Sequence, residues 1–220
     1  MQISTIQTRR RPYPVPPPSV TDLDNIRLIG VTMNVSRDQE IFGEGAPAGL
    51  VYKVVKGAVR SFRLLSDGRR QICDFYLPRD VFGIELGADH RTTAEALMDT
   101  VLVAASRSTL GDESDAGANR RLWRQAMKAL QRSQDHAVTL GRRSASERLA
   151  NFLVDMAARL GGSEALELPM SRQDIADYIG LTIETVSRTL AQFQILGLIR
   201  LTGCRSIQIR KPRTLAELCA

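Results

Sequence analysis

The sequence predicts an α+β chain, with a β-domain first and helices after it. Three observations carry this. Between about Leu28 and Thr109, short apolar runs alternate with Gly, Pro, Asp and Ser at regular intervals. From about Ala118 the apolar period changes to steps of three and four. Near the C-terminus, two capped helical segments flank a glycine and are followed by two short strand-like runs.

The evenly spaced runs, such as "LVYKVVKGAVRSFRLLSDGRRQICDFYLPRDVFGIE", fit a β-sandwich or small barrel. Ser66-Asp67-Gly68 is a hairpin signal, because Asp and Gly tolerate the positive φ of tight turns. Cys73 is expected in the strand core. Ahead of these strands, residues 1 to about 18 hold an arginine run and then prolines, which fits a disordered arm.

The stretch "NRRLWRQAMKALQRSQDHAVTLGRRS" has no proline and many helix formers. Trp123, Ala126, Leu130, Ser133, Ala137, Leu140 and Ser144 follow one another at alternating steps of three and four, an a/d seam along which two helices can pair. The plainer alternative is one amphipathic helix lying on its own domain. Gly141 sits near the joint with a second helix, at whose start Ser144 and Glu147 form a capping box. Leu149, Phe152, Leu153 and Met156 line the apolar face of that second helix, and Gly161-Gly162 ends it.

In "LPMSRQDIADYIGLTIETVSRTLAQFQILGLIRLTGCRSIQI", Ser171 can cap a short helix to Tyr178 that buries Ile175, Ala176 and Ile179. Gly180 suits a left-handed turn. Thr182 caps another helix whose inner face is Val186, Leu190, Phe193 and Leu196. Helix, glycine turn, helix is the helix-turn-helix pattern. Beyond it, "LIRL" and "SIQI" flank Thr202-Gly203-Cys204 as a two-stranded wing, and Arg200, Arg205, Arg210, Lys211 and Arg213 occur there without an acidic residue. The domain boundaries are therefore 1–18 for the arm, 19–116 for the β-domain, 117–143 for the pairing helix and 144–220 for the helix-turn-helix domain.

Ile183, Glu184, Ser187 and Arg188 share the side of the Thr182-capped helix opposite its apolar face. Such a helix enters the major groove with its N-terminal residues on base edges. Arg188 can grip guanine O6 and N7, Glu184 can accept from a cytosine amino group, and Ile183 can touch a thymine methyl. An exposed Glu184–Arg188 salt bridge is the alternative for that pair.

Composition agrees. The 220 residues are 43% hydrophobic and 25% charged, ordinary for a folded chain and against disorder throughout. The net charge of +6 favours a polyanionic partner. No apolar stretch approaches the roughly 20 residues that span a bilayer. The N-terminus lacks the apolar core of a secretory signal. Cys73, Cys204 and Cys219 are far apart and odd in number, which fits a reducing cytoplasm rather than a disulfide framework. No nucleophilic triad, P-loop or carboxylate pair stands out, so no enzyme is expected. His90 and His136 are too few and scattered for a metal site.

"DIADYIGLTIETVSRTLAQFQILGLI", the seam helix and "GAVRSFRLLSDGRRQICDFYLPRDVFGIE" together resemble the Crp/Fnr family of bacterial transcription regulators. The resemblance covers nearly everything after the arm. It implies a cyclic-nucleotide-binding-like double β-roll, a long dimerisation helix and a C-terminal winged helix-turn-helix. Glu184 to Arg188, Glu-Thr-Val-Ser-Arg, looks like the Fnr-type reading head; the Crp type has Gly where Ser187 stands. Carried over, Glu184, Ser187 and Arg188 would read half-sites of the TTGAT…ATCAA kind, with Gln173, Thr182, Thr185 and Arg205 on phosphates.

The resemblance departs from the family in two places. The phosphate cassette of cyclic-nucleotide binders, Phe-Gly-Glu-Leu, a short helix and Arg-Ser-Ala, is broken here by Ile84, and too few residues remain before Arg91-Thr92-Thr93-Ala94 for the helix. Arg91 could still meet an anion, in a ligand-gated alternative. Nor does any cysteine precede Cys73, so the four thiolates of an oxygen-sensing iron–sulfur cluster are missing. An Fnr-like head without that cluster resembles the FixK-type branch. Such a protein is expected to need no cofactor or effector and to activate microaerobic, denitrification or nitrogen-fixation genes as a homodimer. The turn at Ser66 to Arg69 corresponds to a loop that touches RNA polymerase in relatives. A negative charge placed on Ser171, which opens the helix-turn-helix near the DNA phosphates, would oppose binding, although the residue reads first as a helix cap; Cys204 in the wing is the candidate for an exposed, oxidisable thiol. A cyclic-nucleotide-regulated enzyme subunit, the reading from a different class, would need a catalytic or docking segment that the chain does not offer.

Overall fold

A computed structural model describes residues 19–23, 26–108, 116–161 and 165–219. The expected N-terminal arm and Gly162 lie outside the described residues. Strands β1 (Ser19–Leu23), β2 (Ile26–Val35), β3 (Glu40–Phe42), β4 (Leu50–Lys56), β5 (Val59–Leu64), β6 (Arg70–Tyr76), β7 (Val81–Phe82), β8 (Thr93–Ala96) and β9 (Thr100–Ser106) come first. They form two antiparallel sheets, β1-β2-β9-β4-β7 and β3-β8-β5-β6. Alternation decides which side chains meet between them. Val54, Val59, Ala94, Ala96 and Leu102 are fully buried there. Phe42, Tyr52, Phe82 and the stacked Tyr76 fill the space between the sheets with aromatic rings. The β5–β6 hairpin turns at Asp67-Gly68, with Gly68 at φ +82°.

Helix α1 (Ala116–Arg142) is 27 residues long and leads into α2 (Ala145–Arg159). The capping box closes as expected: Ser144 Oγ accepts from Glu147 N at 3.3 Å, and Ser144 N donates to Glu147 Oε2 at 2.6 Å. Strand β10 (Ala165–Glu167), α3 (Arg172–Ile179), α4 (Ile183–Ile195), β11 (Ile199–Leu201), β12 (Ser206–Ile209) and α5 (Pro212–Glu217) complete the chain. The wing is three-stranded, β10-β12-β11, rather than the two-stranded hairpin expected. Strand β10 holds only three residues, too few for a readable alternation.

Cys73 and Leu196 take other places than the sequence suggests. Cys73 is exposed, not core. Ser61 pairs with Asp74 and Phe62 with Ile72, so Cys73 is the extra residue of a β-bulge and leaves the inward alternation. Leu196 is 55% exposed instead of closing the inner face of α4. Helix α4 stops one residue before it, Gly197 turns the chain at φ +66°, and Leu198 takes the buried position.

The two halves share one core. Phe62, Ile72 and Phe75 of the β-domain belong to the same buried cluster as Phe152, Ile175, Ile179 and Phe193. Phe75 sits 5.0 Å from Tyr178 and 6.2 Å from Phe152 between ring centroids. Arg159 of α2 closes this junction, donating to the Phe75 carbonyl and to Asp80 Oδ2 (2.9 Å).

Candidate nucleic-acid interface

Local chemistry builds the helix-turn-helix. Ser171 caps α3: its Oγ accepts from Asp174 N at 3.1 Å and donates to Asp174 Oδ2 at 2.7 Å. Gly180 ends the helix at φ +64°, a conformation that costs other residues about 1–2 kcal/mol. Arg148 of α2 satisfies the freed carbonyls of Ile179 and Gly180 at 3.2 and 3.3 Å. Thr182 Oγ1 then accepts from Thr185 N at 3.2 Å and starts α4. Val186, Thr189, Leu190 and Phe193 are buried beneath α4. That burial fixes which face remains outside.

On that outer face lie Ile183, Glu184 and Arg188, all exposed, with Ser187 half-buried beside them. The four expected base-reading residues are therefore presented together. Glu184's own backbone amide, then the Thr182 hydroxyl, hold its carboxyl below the usual range, with a smaller pull from Arg188. At neutral pH Glu184 is an acceptor only, as a cytosine amino group requires. Arg172 Nη1 lies 3.4 Å from Ser187 Oγ, bringing to this face a further cation that local spacing did not single out.

Thr182 and Gln173 are exposed at the same end, and Thr185 is half-buried. Gln173 Nε2 donates to Asp177 Oδ1 at 2.6 Å. Arg205 is half-buried in the wing, where Nη1 donates to the Pro169 carbonyl at 3.0 Å. Arg200, Arg210, Lys211 and Arg213 are exposed around it. Cys204 at the wing tip is exposed, as is Cys73.

The pairing seam is open. Trp123 is 66% exposed and Leu130 48%, while Ser133 and Ala137 are exposed and Ala126 half-buried. Met127 and Val138 extend the apolar stripe. Leu140 departs from it: the side chain is half-buried and reaches toward Gly180 of its own chain. A straight helix drifts by about 20° per heptad against a strict seven-residue repeat, so the seam rotates onto the subunit's own domain at its C-terminal end.

In the β-domain, the broken cassette is a loop between β7 and β8 without a helix. Gly83 holds φ +78°. Glu85 Oε1 accepts from Arg91 N at 3.1 Å, closing the loop on itself. Arg91 is exposed. His90 is buried and stacks on Phe42 with 3.6 Å between centroids.

Sequence reasoning missed a set of ion pairs that joins the two halves. Arg60 and Arg70 of the β-domain meet Asp174 and Asp177 of α3, the nearest atoms 2.8 Å apart in each bridge. Burial would raise the Asp174 carboxyl, but the Ser171 donors, and then Arg60 and Arg70, outweigh it and hold it below the ordinary value. The Ser-x-x-Asp spacing could have flagged Asp174 as a cap; nothing local could have flagged its arginines.

Known proteins share this architecture. The model of the cyclic nucleotide-binding domain matches residues 32–113, and that of the Crp-like helix-turn-helix domain matches residues 147–218. The nitrogen fixation regulation protein FixK of Rhizobium meliloti (strain 1021) is 46% identical over 181 residues, 82% of this chain and 83% of that protein. Its namesake in Azorhizobium caulinodans is 44% identical over 200 residues, 88% and 81% of the two chains. The solved structure of FixK2 from Bradyrhizobium japonicum superposes with a TM-score of 0.83 at 47% identity, covering 88% of this chain and 98% of that one. By its two domains and by relatives this similar over most of their length, the chain belongs to the Crp/Fnr family of bacterial transcription regulators, in its FixK-type branch.

Proposed function

We propose that the chain acts as a homodimer in the cytoplasm, binding TTGAT…ATCAA-type inverted repeats and activating nitrogen-fixation or low-oxygen genes without a small-molecule effector. The observation that carries this is the outward presentation of Glu184, Ser187 and Arg188 on a helix whose opposite face is locked into the core. Gln173, Thr182, Thr185 and Arg205 supply phosphate donors around them and set register without reading sequence. The open stripe from Trp123 to Val138 supports pairing of two subunits, which sets two reading heads about one DNA turn (~34 Å) apart.

Effector independence is supported by the inside of the β-domain. Aromatic rings occupy it, Glu85 is spent on its own loop, and Arg91 faces water. The exposed turn at Ser66 to Arg69, flanked by exposed Leu64 and Leu65, is the surface we assign to RNA polymerase. Among the described residues no helix is long and apolar enough to cross a membrane. Ser171 acts as a helix cap, and a phosphoryl group there would face the Asp174 carboxylate as well as DNA phosphates.

Transcription from a TTGAT-N4-ATCAA promoter in purified components, with and without cyclic nucleotides, tests the reading. Activation without additive is expected. A strict requirement for a nucleotide would instead establish the ligand-gated alternative. Footprinting with Arg188→Ala tests the reading head, and unchanged sequence preference would refute it.

A further inference from the structure

The ion pairs between the halves end at the proposed DNA face. Glu95 Oε2 accepts from Arg60 Nη2 at 2.6 Å, and Arg60 Nη1 donates to Asp174 Oδ1 at 2.8 Å. The same Asp174 oxygen accepts from Arg70 Nη2 at 2.8 Å. Arg70 Nε continues to Asp177 Oδ2 at 2.9 Å, and the other oxygen of Asp177 accepts from Gln173 Nε2. Charges alternate from Glu95 to Asp177, and the line ends on the neutral amide of Gln173. It is also poorly hydrated: the Asp174 side chain is 5% exposed and that of Asp177 13%. The Arg70 guanidinium lies 5.5 Å from the Phe62 ring centroid, which steadies it from below.

We infer that Arg70, a side chain of the β-domain, is a positioning residue for DNA contact: through Asp177 it fixes the amide of Gln173 at the DNA face. This rests on the proposed role of Gln173 as a phosphate contact. The chemistry is directional. An ionised carboxylate accepts only, so Asp177 must take an N–H of Gln173 and turns the amide nitrogen toward itself. The second N–H of that nitrogen is then left for a phosphate oxygen. Without a held Asp177 the amide is free to rotate and present its carbonyl, which a phosphate repels. Arg70 also neutralises Asp177, whose bare charge beside Gln173 would oppose the DNA backbone.

The test is a cycle of full-length variants, with fluorescence anisotropy on a labelled TTGAT-N4-ATCAA duplex. Gln173→Ala alone removes one hydrogen bond and is expected to weaken binding about 2- to 13-fold. Arg70→Gln alone is expected to weaken it at least as much. In the Arg70→Gln background, Gln173→Ala should then add less than about 2-fold, since the amide is no longer aimed. Arg188→Ala in that background should retain its full effect, because it lies outside the relay. A general loss of packing would not separate these two positions. Should Arg70→Gln fail to give a folded protein by circular dichroism, Asp177→Ala takes its place in the same cycle. Full multiplicative effects of Arg70 and Gln173 overturn the relay while leaving the DNA face intact. If Gln173→Ala has no effect in the otherwise unchanged protein, the phosphate reading falls and the relay with it.

Discussion

Trp123 is the only tryptophan of the chain and is 66% exposed on α1, so it both anchors the proposed dimer and reports on it. An aromatic side chain buries about 150–250 Å² when fully covered. Two thirds of that leaves roughly 100–165 Å² for the partner helix, or about 2.5–4 kcal/mol per copy at 25 cal/mol/Å². Two-fold symmetry doubles the figure to about 5–8 kcal/mol. Association returns only part of such area estimates, because ordering and imperfect fit consume the rest. Taking about half, Trp123→Ala should raise the dimer dissociation constant by at least ~10²-fold. Sedimentation equilibrium across micromolar concentrations measures this directly. In the unsubstituted protein, tryptophan emission should shift to the blue as the mass doubles. A dimer that survives Trp123→Ala unchanged, or one that forms with no change in emission, would refute the seam.

Three further outcomes rest on individual residues. Arg188→Ala should weaken binding by about 1–3 kcal/mol and remove discrimination at the guanine of the half-site, measured by competition among single-base variants. Gly180→Ala places a Cβ at φ +64° and 3.2 Å from Leu140 Cδ2, and should lower urea stability by about 1–2 kcal/mol. His136, stacked on Tyr178, is pushed by burial down to about 4. Its contribution is therefore complete above the unfolded value of about 6.5 and is lost as pH falls toward 4, because only the unfolded chain binds the proton in that interval. Solvent screening included, the loss is roughly 1–2 kcal/mol by pH 5, and melting of His136→Phe should lack this slope.

Much of the reading head was legible because its rules are local. Ser144, Ser171 and Thr182 each accept from an amide three residues on, and Gly180 takes the left-handed turn that its position demands. Residues invisible to local rules are those set by partners distant in sequence. Cys73 leaves the core through a bulge defined by pairing with Ser61 and Phe62 on another strand. Leu140 fits the seam by spacing, yet it packs toward Gly180, forty residues on, where the heptad drift carries it. Arg60 and Arg70 look like ordinary strand arginines until the fold brings α3 against them. Strand β10 and helix α5 are short enough that their periodicity is unreadable.

Those long-range pairs bear on how a β-domain whose cassette is interrupted by Ile84 is coupled to the DNA-binding domain. A regulator that needs no effector must hold its binding-competent arrangement as the majority state. Reversing a 99:1 preference requires about 5.5 kcal/mol of differential binding. Here the helix-turn-helix is tied to the β-domain by Phe75 against Phe152 and Tyr178, and by the bridges of Arg60 and Arg70 to Asp174. Undocking would rehydrate these charges, so the bridges contribute less net stability than geometry: Asp174, shared by both arginines, fixes one docked arrangement. An anion held by the exposed Arg91 would gain about 0–1 kcal/mol, the worth of a solvated ion pair. That is small against the about 5.5 kcal/mol that reversing such a preference requires. Under the effector-independent function proposed above, the β-domain is a frame for the reading head, and regulation would fall to whatever changes the amount of protein or the charge at its DNA face.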